Sequence, residues 1–99
     1  MLSLENSKRL STLAKEFGVE VSDKWFMRVK KGDLINWLYE ILVYDTMKYY
    51  TDEKLSVARY LDMKKEGESV YDKPKSINAW VSQDVIPALE EVIKNKKGI

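Results

Sequence analysis

Apolar residues recur at helical spacing in the first part of the chain. Four of them fall at i, i+3, i+4 and i+7: Leu10, Leu13, Ala14 and Phe17. This spacing places them on one face of a helix. Ser3 precedes the pattern as a candidate N-cap, and Gly18 follows it where a C-terminal cap glycine belongs. The pattern predicts an amphipathic helix between these two residues.

Three further stretches continue the helical pattern. The apolar positions of the second are Leu34, Trp37, Leu38, Ile41 and Leu42, with Asp33 as its candidate N-cap. The third begins at Thr51 with the acidic pair Asp52 and Glu53, ends at Gly67, and is expected to turn Leu55, Ala58, Tyr60 and Leu61 inward. The last begins at Ser76, and Pro87 interrupts it; if Asp84 caps a fresh helix, Pro87 lies in the first turn of that helix, where proline is tolerated.

The segment 19–31 is ambiguous. Its residues Val19, Val21 and Trp25 to Val29 have strand-like composition, but Ser22 or Asp23 could also cap a short helix there. We therefore predict a mainly α, compact single domain over residues 1–99, with four to five short helices. The alternative is a small α+β fold with strands near 19–31 and 55–72. The predicted core comprises Leu13, Phe17, Trp37, Leu38, Ile41, Trp80, Leu89 and Val92.

The absence of histidine and cysteine narrows the possible chemistry. Histidine is the usual general base near neutral pH, and both residues are the main soft metal ligands. Their absence excludes a Ser-His-Asp triad, a cysteine nucleophile, a zinc finger and an iron–sulfur cluster. The sequence also has no glycine-rich phosphate loop. We expect a protein that is not an enzyme, with no cofactor and no metal.

Charge and composition bear on location and source. The net charge is +1, which argues against a protein that coats nucleic acid nonspecifically. The basic residues are mostly lysine, a bias typical of AT-rich genomes, including viral and mobile-element genes. The chain begins without a basic stretch followed by an apolar run, and its apolar segment 34–44 is too short to span a bilayer. We expect a cytoplasmic protein with no membrane partner.

One local segment carries a resemblance. The run Leu13 to Val19, with Ala14 as the small residue and Gly18 in the turn, resembles the first helix and turn of helix-turn-helix repressors and excisionases. The run from Arg28 to Leu34 resembles the exit of their recognition helix. The resemblance implies nucleic-acid contacts by Lys24, Arg28, Lys30 and Lys31. The chain departs from that pattern in a longer spacing after Gly18. A capped helix followed by an irregular basic loop is the simpler interpretation.

Aromatic residues are more numerous than a core of this size absorbs, with 3 Trp, 6 Tyr and 2 Phe. Tyr39 and Tyr50 fall on the helical face opposite Leu34 and Leu38, and exposed tyrosines are frequent in protein interfaces. The outer stripe of this helix is Tyr39, Val43, Met47 and Tyr50. We therefore predict a small non-enzymatic binding protein that acts through a protein–protein interface on this stripe, with a partner protein or by self-association. A helix-turn-helix-like DNA-binding protein using residues 10–34 is the alternative.

Overall fold

The computed structural model describes residues 1–49, 53–67 and 75–97, with side chains for 1–42, 58–66 and 75–95. These ranges are helical with no strand, so the predicted mainly α fold is confirmed and the α+β alternative is wrong for them. The elements are α1 (Leu4–Glu16), α2 (Asp23–Arg28), α3 (Lys31–Tyr49), α4 (Glu53–Gly67), α5 (Ile77–Trp80), a π-helical turn (Val81–Val85) and α6 (Ile86–Lys97). Helix α3 packs on α4, α1 packs on α2 and α6, and α4 packs on α6.

Serine side chains cap three of the helices: Ser3 and Ser76 as the sequence predicts, and Ser22 as one of the two candidates that it left open. Ser3 Oγ accepts a hydrogen bond from Asn6 N, Ser22 Oγ accepts one from Lys24 N, and Ser76 Oγ accepts one from Ala79 N, each at 3.2 Å. These bonds satisfy backbone donors that the first turn of a helix leaves without partners. The ambiguous segment is therefore a short helix that starts after Ser22.

Helix α3 begins earlier than the sequence suggests. It starts at Lys31, and Asp33 lies inside its first turn instead of capping it. A carboxylate in the first turn still interacts favourably with the helix dipole, so Asp33 keeps a stabilising position. The residue before the helix is Lys30, whose ammonium group has no acceptor for a backbone N–H.

Gly18 ends α1 in a left-handed conformation, with φ at 78°. Gly18 N donates to Lys15 O, and Val19 N donates to Ala14 O, both at 3.0 Å. This pair of bonds is the Schellman motif, in which a residue of positive φ closes the last turn. After this turn the chain runs back beside α1, and Ser11 Oγ of α1 donates a hydrogen bond to Val21 O.

One cluster of buried residues draws on every helix that the structure describes. Of the predicted core residues, the buried ones are Phe17, Leu38, Ile41, Trp80, Leu89 and Val92. Leu13 and Trp37 are partly buried and pack against the cluster. The predicted core is therefore confirmed, with two of its members at the edge.

The inner face of α4 differs from the prediction. Ala58 and Leu61 are exposed, whereas Met63 is buried and Tyr60 is partly buried. The side chain of Leu55 lies outside the described residues. The helix is weakly amphipathic, so its apolar residues do not mark one face. Contacts with α3 and α6 decided which side turned inward.

The C-terminal helix is continuous across Pro87, which contradicts the expected break and the candidate cap at Asp84. The turn before the proline is π-helical, and Ile86 N donates to Val81 O, five residues back. Proline lacks an N–H and its ring collides with the carbonyl four residues before it in a regular α-helix. We attribute the wide turn to this conflict, since π-turns and prolines are recognised sites of helix distortion.

Asn78 fastens the N-terminal segment to α5. Its Oδ1 accepts a hydrogen bond from Ser3 N at 2.6 Å, and its Nδ2 donates to Met1 O at 3.0 Å. Leu2 lies between these contacts and is buried. The amide side chain thus supplies hydrogen-bond partners for backbone groups of a segment that lies outside any helix.

Candidate binding surfaces

Tyr39 lies on the outside of α3, and 52% of its surface is exposed. Its ring centroid is 5.2 Å from that of Tyr60 on α4, with an angle of 59° between the ring planes. Tyr60 in turn packs against the core. Leu61 follows Tyr60 and is 55% exposed. We call Tyr39, Tyr60 and Leu61 the Tyr39 surface; it presents apolar side chains from both helices of the α3–α4 pair.

The other predicted members of this interface cannot be placed. Val43 and Met47 lie in α3, but their side chains fall outside the described residues, as does all of Tyr50. Sequence reasoning missed Tyr60 and Leu61 because it assigned both to the inner face of α4. The residue types alone carry no signal that Tyr60 stacks on a residue of the preceding helix.

The four predicted nucleic-acid contacts have different surroundings. Lys24, Arg28 and Lys30 are exposed, and none has a side-chain partner among the described residues. Lys31 is partly buried: its Nζ donates to Lys75 O at 2.8 Å and lies 5.6 Å from the centre of the Trp80 ring. The ammonium group of Lys31 therefore holds the start of α3 against the start of the C-terminal helix, while three cations face solvent.

A cavity of about 550 Å³ opens at the junction of α2 and α3. We call it the junction pocket. Its lining includes Met27, Arg28, Val29, Lys30, Lys31 and Ile77. Val29 and Ile77 also pack against the core. The pocket thus combines an apolar floor with basic residues, and no acidic residue lines it.

Aromatic rings join α2 to α3 beside this pocket. Phe26 is buried, with its ring 5.0 Å from Trp37 and 5.2 Å from Trp25 in edge-to-face arrangements. Trp25 and Trp37 lie 6.2 Å apart. Such pairs stabilise a contact beyond the area that they bury. The bulky residues of α2 therefore serve mainly to anchor that short helix, although Trp25 remains 39% exposed.

An ion-pair network joins α4 to α6. Arg59 Nη2 donates to Glu91 Oε1 at 2.8 Å, and Arg59 Nη1 donates to Asp62 Oδ2 at 3.1 Å. The hydrogen bond from Arg59 is the main reason that the pKa of the Glu91 carboxyl lies below its usual value, and desolvation opposes it. The same bond raises the pKa of the Arg59 guanidinium. These groups are engaged with one another, which suits a structural role.

Lys75 makes a second network at the π-helical turn. Its Nζ donates to Asp84 Oδ2 at 2.9 Å and lies 3.6 Å from Glu66 Oε2. The hydrogen bond to Asp84 is the main cause of the raised pKa of the Lys75 ammonium group. Through Lys75 the segment before α5 is tied to both α4 and the π-turn.

The chemistry available to the described residues is limited. Within the ranges that the structure describes, no group of three or more acidic residues is placed to hold a metal ion. Among the described helices, none has the length and hydropathy that crossing a bilayer requires. Two surfaces among the described residues expose apolar side chains beside aromatic or basic ones: the Tyr39 surface and the junction pocket.

Comparison with known protein families, with curated proteins and with solved structures finds no match to this chain. The fold therefore defines the class: a small, mainly α-helical domain.

Proposed function

We propose that this protein is a small non-enzymatic binding protein that acts through a protein–protein interface at the Tyr39 surface. Val43, Met47 and Tyr50 are further predicted members of that interface. The observation that carries the proposal is the 52% exposure of Tyr39 while its ring packs on Tyr60. A ring already held in place loses little conformational freedom when it binds, and tyrosine is frequent among energetically important interface residues.

The non-enzymatic part of the proposal has two supports. The sequence has no histidine and no cysteine, and several described carboxylates are in ion pairs: Asp62 and Glu91 with Arg59, Glu66 and Asp84 with Lys75. The oxygens of these carboxylates are engaged by cationic side chains, and the lowered pKa of Glu91 suits that carboxylate poorly to proton transfer near neutral pH. From the sequence alone we also propose that the protein is located in the cytoplasm and serves as a viral or mobile-element accessory factor.

The expected partner is a protein with an apolar patch of its own, because the Tyr39 surface offers two rings and an aliphatic side chain. The test compares Leu61→Gln with Leu4→Gln. Leu61 and Leu4 are 55% and 49% exposed, so the two variants remove similar apolar surface at different places. Affinity capture from the source cell, with nuclease added, should lose a partner with Leu61→Gln and keep it with Leu4→Gln.

Sedimentation equilibrium on the same two variants distinguishes a foreign partner from a second copy. Self-association that Leu61→Gln weakens and Leu4→Gln preserves would identify the partner as another copy of this chain. If wild type is monomeric and captures no protein that the Leu61 variant loses, the proposal is wrong.

DNA binding by residues 10–34 is the alternative function. It is favoured by the exposure of Lys24, Arg28 and Lys30, which lack side-chain partners among the described residues. It is disfavoured by the short α2, Asp23–Arg28, which offers a major groove fewer than two turns of recognition helix. Duplex binding that weakens steeply with salt, and whose salt slope falls by about one unit in Arg28→Ala, would support it. Absence of binding at low salt to the gene's own upstream DNA would count against it.

A further inference from the structure

We propose that the junction pocket binds an acidic peptide segment of a partner protein, with one apolar side chain of that segment seated in the pocket. The proposal is independent of the Tyr39 surface. Both surfaces involve α3, but Tyr39 follows Lys31 by eight residues, which is about 12 Å along the helix axis. Either surface can therefore fail a test without the other.

The positive charge of the pocket favours negatively charged side chains on the partner. Arg28 and Lys30 line it, are exposed, and have no side-chain partner among the described residues. Lys31 adds a third positive charge that is held in place by Lys75 O. Arginine offers a planar pair of donors that matches a carboxylate, and lysine adds a mobile point charge. Aspartate and glutamate side chains are the complementary groups.

The floor of the pocket selects an apolar anchor. Met27, Val29 and Ile77 line it, and two of these, Val29 and Ile77, are fixed by packing against the core. Met27 is partly buried, and a methionine side chain adapts its shape to what it contacts. A volume of about 550 Å³ accommodates one large aliphatic side chain together with its backbone. Burying that side chain supplies the affinity, and the basic residues supply specificity and speed of association.

Nucleic acid fits the same pocket less well. Single-stranded bases bind by stacking on aromatic rings, and no aromatic residue lines the pocket. Duplex DNA is bound by many phosphate contacts, whereas the pocket offers two cations without partners. An apolar floor of Met27, Val29 and Ile77 gives nothing to a phosphate. The combination of floor and charge therefore favours a peptide.

The test uses a fluorescein-labelled peptide with glutamates on both sides of a central leucine, measured by fluorescence anisotropy at low salt. Wild type should bind it and should bind the same peptide with a central alanine about tenfold more weakly, because the anchor is lost. A peptide with lysines in place of the glutamates should not bind. Met27→Gln should reduce the advantage of leucine over alanine.

Charge-reversal variants test whether the peptide binds at the junction pocket. Arg28→Glu with Lys30→Glu should abolish peptide binding, and the milder Arg28→Gln with Lys30→Gln should weaken it by about tenfold or more. Lys8→Glu with Lys15→Glu changes the net charge equally at exposed positions on α1 and should bind nearly as wild type. Circular dichroism confirms that each variant is folded, and Leu61→Gln should leave peptide binding unchanged.

Three outcomes would overturn the proposal. Equal loss in the Lys8 and Lys15 variant would show that only net charge matters. Indifference to the central leucine would show that the apolar floor is unused. A poly-dT oligonucleotide that binds more tightly than the peptide, and loses affinity in the Arg28 and Lys30 variants, would assign the surface to nucleic acid.

Discussion

Trp80 Nε1 donates a 2.7 Å hydrogen bond to Met63 O inside the core. The tryptophan ring and the methionine side chain are both buried, so the bond fixes α5 against α4 and satisfies the one polar atom of the largest core residue. The Lys31 ammonium group lies over the ring, 5.6 Å from its centre, which brings the start of α3 to the same residue. Trp80 is thus the point at which three helices are joined.

We expect Trp80→Phe to destabilise the fold by about 2–4 kcal/mol, since it removes buried volume and leaves a carbonyl without its indole partner. Trp37→Phe is the matched control. Because Trp37 lies at the edge of the core, this variant should lose at least about 1 kcal/mol less stability than Trp80→Phe. Urea unfolding followed by circular dichroism measures both. Equal losses for the two variants would show that the Trp80 contact has no special weight.

Substitution by alanine should change the stability of the fold in opposite directions at Gly18 and at Gly32. Gly18 has φ at 78°, where a Cβ is strained, so Gly18→Ala should cost about 1–2 kcal/mol. Gly32 lies in the first turn of α3, and a Cβ there would meet nothing within 4 Å. Gly32→Ala should therefore raise stability by up to about 1 kcal/mol. Thermal unfolding decides the matter: loss of stability in both variants would contradict the prediction.

Asn78→Ala should release the N-terminal segment. It removes the acceptor for Ser3 N and the donor to Met1 O, so we expect a loss of about 1–2 kcal/mol. Amide hydrogen exchange at Ser3 should accelerate more than exchange in α6. Asn78→Asp keeps the acceptor and loses the donor, and an intermediate effect is expected. Exchange at Ser3 that matches wild type in Asn78→Ala would refute the role of this side chain.

Stability should be flat near neutral pH and fall on both sides. No histidine is present to titrate between pH 6 and 8. Glu91 has a lowered pKa in the folded state, so its contribution is present above the unfolded pKa of about 4.3 and is lost as the pH falls through the folded value. Lys75 has a raised pKa, so its contribution is present below the unfolded pKa of about 10.4 and is lost as the pH rises through the folded value.

Glu91→Gln tests the acid limb of this profile. The variant should be less stable than wild type at pH 6, and the gap should be smaller at pH 3, because the contribution of the wild-type ion pair declines as the pH falls towards the lowered pKa of Glu91. Glu40→Gln, on an exposed residue of α3, makes the same change of charge without touching the Arg59–Glu91 ion pair, so it is the control for the charge change itself. Thermal midpoints measured at both pH values give the comparison, and parallel profiles for all three proteins would contradict it.

The sequence by itself determined the features that depend on neighbouring residues. Ser3 and Ser76 cap helices because a hydroxyl three residues from a free N–H needs no distant partner. Gly18 closes α1 because its φ is a local property. The inner faces of α1 and of residues 34–42 of α3 followed from apolar spacing, and their predicted inward residues Leu10, Ala14, Phe17, Leu34, Leu38 and Ile41 are buried.

Only the tertiary structure decided the features that depend on distant contacts. Helix α4 buries Met63 and exposes Leu61 because α3 and α6 define its inner side, and weak amphipathicity gave no local guide. The C-terminal helix continues past Pro87 because a π-helical turn absorbs the missing N–H, whereas local rules favour a break. The Tyr39–Tyr60 contact and the junction pocket, in which Ile77 meets the segment from Met27 to Lys31, likewise join residues far apart in the chain. Spacing along one helix carries no information about which side chains another helix brings to it.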